Sequence, residues 1–309
     1  MATSRPTQRE RHRSIWKLGG LTLWQLSEQV VREGASTDLP GAASELAFNF
    51  LLALFPLILF MLALFSLFAT HRSQLQYSLM SYFRDMLPPA AFQMLNKITN
   101  QMAANPHSRK FTFGIVVALW FASGGISSMI STLNVVYQVH ETRSWWRVRA
   151  VALVSTLAIS VLVLSALFLV LAGGNVVDWI GKTLQLQSMV VLFWKGVQWP
   201  AALIFVMLSC SLIYYYAPDL ESPHWYWVTP GSAFGAVLWL LASIGFRAYL
   251  HFFNSYSTYY GPLGAMMMLL VWLYVTGLAF LIGGEINAQI ERASQPAEPG
   301  QQKTDPHLE

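Results

Sequence analysis

Two apolar runs separated by a short aromatic turn, all between Pro230 and Glu285, constrain this chain more than any other stretch. The first reads PGSAFGAVLWLLASIGFRAYLHFF, the turn NSYSTYYGP, and the second LGAMMMLLVWLYVTGLAFLIGGE. Each run is long enough to cross a hydrocarbon core of about 30 Å, so membrane-spanning helices are expected. Along the first, Gly231, Gly235, Leu238, Ala242, Gly245 and Tyr249 recur at steps of three and four. A seam of mostly small residues lets helices approach closely in lipid, and Gly231, Gly235, Ala242 and Gly245 are its packing positions. Arg247 lies round the helix from Gly245, in line with Ser243 and His251 one turn to either side. A cation at the bilayer centre costs roughly 2.5–3.5 kcal/mol, so Arg247 is expected to face protein or water.

Composition supports the class. Of 309 residues, 55% are hydrophobic and 11% are charged, against roughly a quarter charged in soluble domains. The net charge of +4 resides mostly outside the apolar runs and fits a topological signal, not nucleic-acid binding. The single cysteine, Cys210, excludes an intramolecular disulfide and a cysteine metal cluster. A basic N-terminus leading into an amphipathic segment, with a first apolar run too long for an h-region, argues against a cleaved signal peptide.

In chain order, residues 1–14 form a basic tail expected to be disordered, residues 15–292 a single six-helix membrane domain, and residues 293–309 a second disordered tail. Ile15 to Arg32 has the pattern of a helix lying in the interface, although a core helix of the same amphipathicity would look alike. The first span, about 44–69, opens with Glu45 and Asn49 one turn apart and carries Pro56, a hinge candidate because proline removes a backbone donor. Glu45 fits a polar pathway or an ordinary helix-start carboxylate equally well. Residues 70–110 are expected to form a small extramembrane helical cap. In the second span, about 111–139, Ser127, Ser131, Asn134 and Gln138 fall on one face, with Gly124-Gly125 as a flexing point. Serines in such helices are often only back-bonded to the preceding turn, but Asn and Gln on the same stripe favour a polar interior face.

The loop HETRSWWRVR (140–149) combines arginines and tryptophans as membrane borders do. The third span, about 150–172, is uniformly apolar, and 173–195 reads as an amphipathic connector. The fourth span is about 196–216, the fifth about 229–253 and the sixth about 263–285. With the N-terminus inside, inner segments carry 11 basic residues and outer ones 7, which predicts both termini in the cytoplasm. Glu45, Asn49, Asn134, Gln138 and Glu285 then share the cytoplasmic end, while Arg247 lies about 27 Å from the start of its helix, at the outer side. Loop arginines Arg143, Arg147 and Arg149 are the expected partners of Glu45 or Glu285.

The landmarks LAFNFLLALFPLILF (46–60), ISSMISTLNVVYQV (126–139), YYYAPD (214–219), PGSAFGAVLW (230–239), YYGPLGAMMMLLVWLY (259–274) and GGEINAQI (283–290) resemble the BrkB/YihY family of bacterial inner-membrane proteins, once labelled ribonuclease BN-like. The resemblance spans about residues 15–292. It implies an all-α fold of six transmembrane helices in a bacterial cytoplasmic membrane, and links to envelope integrity and lipid movement. Glu45 departs from the small residue expected there.

The function expected from residues and resemblance together is translocation of a phospholipid or other lipid-linked amphipathic substrate. Glu45, Asn49, Ser127, Ser131, Asn134, Gln138, Arg247, His251 and Glu285 would line its path. The alternative is a non-transporting scaffold or partner subunit of an envelope complex, with polar faces satisfied between helices. Small-solute or ion transport would call for more buried carboxylates. Ribonuclease chemistry needs clustered carboxylates or histidines around a metal, whereas the seven histidines are scattered. No enzyme, metal or cofactor is therefore expected. Gly181-Lys182-Thr183 resembles the end of a phosphate loop, but Val176 stands where its first glycine belongs. Membrane lipids are the expected partners, with periplasmic or envelope lipid-transfer proteins and a second copy of the chain as further candidates, and nucleic acid excluded.

Overall fold

The computed structural model describes residues 15–68, 109–184, 187–220, 226–252 and 256–294, with isolated helical positions between 80 and 100. The described residues are mostly helical, and none of them lies in a strand. After a 3-10 turn at Ile15–Gly20 come α1 (Leu23–Ser36), α2 (Leu39–Phe68), α3 (Arg109–Tyr137), α4 (Trp145–Leu184), α5 (Gln187–Tyr216), α6 (Pro230–Phe252) and α7 (Tyr256–Ser294). Six of these, α2 to α7, are long and apolar enough to cross a membrane. The chain is an all-α polytopic membrane protein.

Local chemistry sets the helix ends. Thr22 and Gln25 form a reciprocal capping box that starts α1. Asp38 accepts the Gly41 N–H at 3.2 Å, so α2 begins at Leu39, a turn before the apolar run. Its course through Pro56 is uninterrupted, as is that of α5 through Pro200. At the end of α3, Gln138 adopts φ 56°, while Val139 N–H donates to Asn134 O and Gln138 N–H to Val135 O. This is a Schellman closure with glutamine in the place usually taken by glycine.

Helix boundaries depart from expectation where polar residues fail to stop a helix. α4 begins at Trp145 and runs on to Leu184, through Gly173-Gly174 and the stretch read as a connector. Two glycines cost about 1 kcal/mol each but leave the backbone bonds in place. α7 likewise starts at Tyr256, upstream of Gly261-Pro262, and ends at Ser294, so Ala293 and Ser294 belong to the helix and not to a disordered tail. The rest of both tails, and most of the expected cap at 70–110, lie outside the described residues.

Consecutive helices α2 through α7 touch in order, and α7 closes the ring against α2. α7 also meets α1, α3 and the 3-10 turn, which makes it the hub. Small residues permit this. A Cβ on Gly283 would lie 2.6 Å from Gly231 O and 2.5 Å from the Tyr214 hydroxyl; one on Gly284 would lie 2.8 Å from Leu133. One on Gly277 would sit 3.4 Å from Ala43 O of α2. At the same end, Leu26 and Val30 of α1 pack on Ile286 and Ile290 of α7. Gly19 abuts Ile290 and Ala293, so the two ends of the described chain meet.

Packing is uneven along the bundle. The buried core gathers at the end that holds Leu39, Val136, Ala152, Tyr214, Ala217, Leu281 and Ala288. Towards the other end it thins: among described residues, none of 113–121, 161–169, 196–208 or 237–250 is fully buried. Small residues bring helices together in lipid only where they meet a partner surface, and Gly245 of α6 meets no described atom within 4 Å.

Candidate functional site

Three polar networks converge on the packed end. The first binds loops. Asn134, at the end of α3, donates to Glu141 at 2.8 Å and accepts the Asp219 N–H at 3.0 Å. Thr142 donates both its N–H and its hydroxyl to Asp219 Oδ2. Arg143 grips Glu141 through Nε and Nη2, each at 2.7 Å. It also caps the carbonyls of Tyr216 and Ala217 at the end of α5, where a cation meets the negative dipole end. Its hydrogen bond lowers the Glu141 carboxyl below the usual carboxylate range, and Glu141 in turn raises Arg143. Asp219 is lowered chiefly by the Thr142 hydroxyl and then by the Thr142 N–H.

The second network joins α6 to α7. Thr229 and Ser232 form a reciprocal cap at the start of α6. Asn287 of α7 accepts the Gly231 N–H at 2.9 Å and donates to Thr229 Oγ1 at 2.9 Å. A Cβ on Gly231 would collide with Gly283 O and the Asn287 side chain, and one on Gly235 would lie 3.3 Å from Ala279 O. The Tyr214 hydroxyl donates to Phe280 O at 2.6 Å while its ring stacks on Phe280, and Ser211 bonds Ser232 across α5 and α6.

The third surrounds Glu285, whose side chain is 0% exposed. Gln289 donates to its Oε1 at 2.6 Å, and Arg292 lies 3.9 Å away while also donating to Val136 O of α3. Oε2 has no partner among the described residues. The expected pairing of Glu45 or Glu285 with loop arginines is corrected on this point. Arg143 is held by Glu141 and Asp219, and Arg149 lies over the Trp120 ring at 4.1 Å and donates to the Trp120 carbonyl. Glu285 faces Arg292 of its own helix instead.

The other expected site residues scatter. Asn49 donates to Glu45 O and to Ser128 Oγ, each at 3.0 Å, joining α2 to α3. Glu45 and Ser131 are exposed and Ser127 half-buried, whereas Ser123, Ser128 and Thr132 are the buried hydroxyls among the described residues of α3. Gln138 is exposed and reaches Glu33 at 3.3 Å. Gly125 packs 3.3 Å from Ala53, while Gly124 and Gly245 would meet no described atom within 4 Å. Ala242 is half-buried and Arg247 exposed; the His251 side chain lies outside the described residues. The seam of α6 is thus tight at Gly231 and Gly235 and open at Gly245. Its counterpart on α7 is Gly277, Gly283 and Gly284, whose spacing lacks the regular three-and-four step that marks the seam of α6 in the sequence.

A family model described as Virulence factor BrkB matches residues 30–308. The chain belongs to this family. The BrkB match takes in all six candidate spans. The chain is 30% identical over 266 residues to the Bacillus subtilis ribonuclease-like protein YfkH, covering 86% of this chain and 93% of that one. It is 29% identical over 294 residues to a UPF0761 membrane protein of Methylibium petroleiphilum, covering 90% of this chain and 66% of the relative. A UPF0761 membrane protein of Vibrio cholerae is 35% identical over 88 residues, 28% of this chain and 29% of that one. No solved structure matches. The name of the Bacillus relative speaks of ribonuclease likeness; in this chain, no three metal-binding side chains gather among the described residues.

Proposed function

We propose that this BrkB-family protein translocates an amphipathic, anionic-headed lipid across a bacterial cytoplasmic membrane. The observation that carries the proposal is the course of α6. Its small-residue face is pressed against α7 at Gly231 and Gly235, and the same face meets no described atom at Gly245. Among the described residues, none of 196–208 in α5 or 237–250 in α6 is fully buried. In this reading acyl chains stay in the bilayer beside the open face at Gly245 while a head group moves along the side of α6 that carries Arg247. Arg247 is exposed on that side; its planar fork suits phosphate oxygens better than a lysine does. Snorkelling of a long side chain to the interface is the competing account.

The scaffold reading also has an observation in its favour. Asn49 and Asn134 spend their amides on hydrogen bonds that tie helices and loops together. The two readings part in a lipid assay. Head-group-labelled phospholipid in proteoliposomes should move faster with the protein than without it. Arg247→Lys should lose much of that activity with the fold intact, and Arg247→Ala more. Equal rates for wild type and Arg247→Ala at matched protein levels would leave snorkelling as the better account.

Both termini are placed in the cytoplasm by this proposal, with the packed end inside. Cysteines introduced at Asn100 and His140, in a Cys210→Ser background, test it. Asn100→Cys should label from the periplasmic side and His140→Cys should not; the reverse pattern inverts the topology.

A further inference from the structure

We propose that Glu285 is a proton-binding site whose occupancy sets a latch between α7 and α3. Glu285 is sealed from solvent at the hub of the bundle, and its two oxygens are treated unequally. Oε1 accepts from Gln289 at 2.6 Å, whereas Oε2 has no donor among the described residues. A buried carboxylate oxygen without a donor is costly, and a proton on that oxygen removes the charge that makes it so. The nearby cation compensates weakly: Arg292 stands 3.9 Å from Oε1 and shares its guanidinium with Val136 O at 2.7 Å.

The surrounding elements add little positive charge. α1 brings Glu33 within electrostatic reach, and α3 brings Tyr137, which bonds Asn287 and also feels Glu291 and Arg292 of α7. α6 presents Thr229 and Gly231 to α7, α2 presents Ala43 and Leu46, and α5 presents Tyr214 beside Gly283 and Gly284; of these only Tyr214 is titratable, and its hydroxyl donates to Phe280 O. The side chain is therefore held by one cation that bridges two helices. With Glu285 ionised, Arg292 is drawn toward α7 while it holds the last turn of α3. With a proton on Oε2, Arg292 is left to its α3 carbonyl and to solvent, because it is about a third exposed, 31%. The proton comes from and returns to the aqueous phase at the end of α7. The site stands apart from what crosses the membrane, so it is tested without transport.

Infrared difference spectroscopy of the purified protein across a pH titration reads the site directly. Apart from the bands of the protein's other carboxyls, a distinct carboxylic-acid carbonyl band should appear as pH falls. It should be missing in Glu285→Gln, which keeps an acceptor for Gln289, and retained in Glu33→Gln. If Glu285→Gln does not fold, Arg292→Gln decides: the band's midpoint should move to higher pH, because the cation favouring the charged form is gone. A band that survives in folded Glu285→Gln, or a midpoint unmoved in Arg292→Gln, overturns the proposal.

Discussion

Gln138 shows how a side chain chosen for its polarity can be in place for its backbone. It holds the left-handed position that closes α3, with φ 56°, and its amide makes only an exposed 3.3 Å bond to Glu33. A non-glycine residue there costs roughly 1–2 kcal/mol, while glycine raises the entropy of the unfolded chain by roughly 0.5–1 kcal/mol. Gln138→Gly should therefore leave thermal stability in detergent unchanged or raise it by up to about 1 kcal/mol; a clear loss would show that the amide matters. The stripe Ser127-Ser131-Asn134-Gln138 was legible as a set of polar residues. What each one touches was not, because the buried hydroxyls of Ser128 and Thr132 lie one position further along than Ser127 and Ser131 and a step of one turns a helix by about 100°. Glu285 was legible as an intramembrane acid, whereas its partner Arg292 depended on how α7 extends past the apolar run.

At the scale of the element, the six spans were readable because each is a continuous apolar run, and both limits of α3 and α6 and the ends of α2 and α5 fell within two residues of the observed ones. The starts of α2 and α5 and both limits of α4 and α7 were less legible. Asp38 starts α2 through a side-chain bond, and Gly173-Gly174 did not end α4, because a glycine weakens a helix without removing a backbone donor. The seam of α6 gives this scale its prediction. Gly235→Leu should lower stability by about 1–3 kcal/mol, through overpacking against Ala279 O and Tyr214. Gly245→Leu, ten residues along in open space, should leave melting within about 0.5 kcal/mol of wild type. Equal losses at both positions would mean that the outer half of α6 is packed after all.

The whole molecule is a bundle knotted tightly around α7 at one end, with the small-residue face of α6 open at Gly245 towards the other. The sequence carried the class and the family landmarks, since the stretches 126–139, 214–219, 230–239 and 283–290 contribute to the knot. It did not carry the asymmetry, because apolar faces that meet a neighbour and apolar faces that meet lipid have the same composition. The central claim is that lipid crosses through the open half. Its most direct test is translocation of head-group-labelled phospholipid in proteoliposomes, comparing wild type, Gly245→Trp and protein-free vesicles. The account predicts faster movement with wild type, and a rate cut several-fold by Gly245→Trp at unchanged melting temperature, since the indole fills the gap beside α6 without a clash. Movement with wild type no faster than in protein-free vesicles would contradict it.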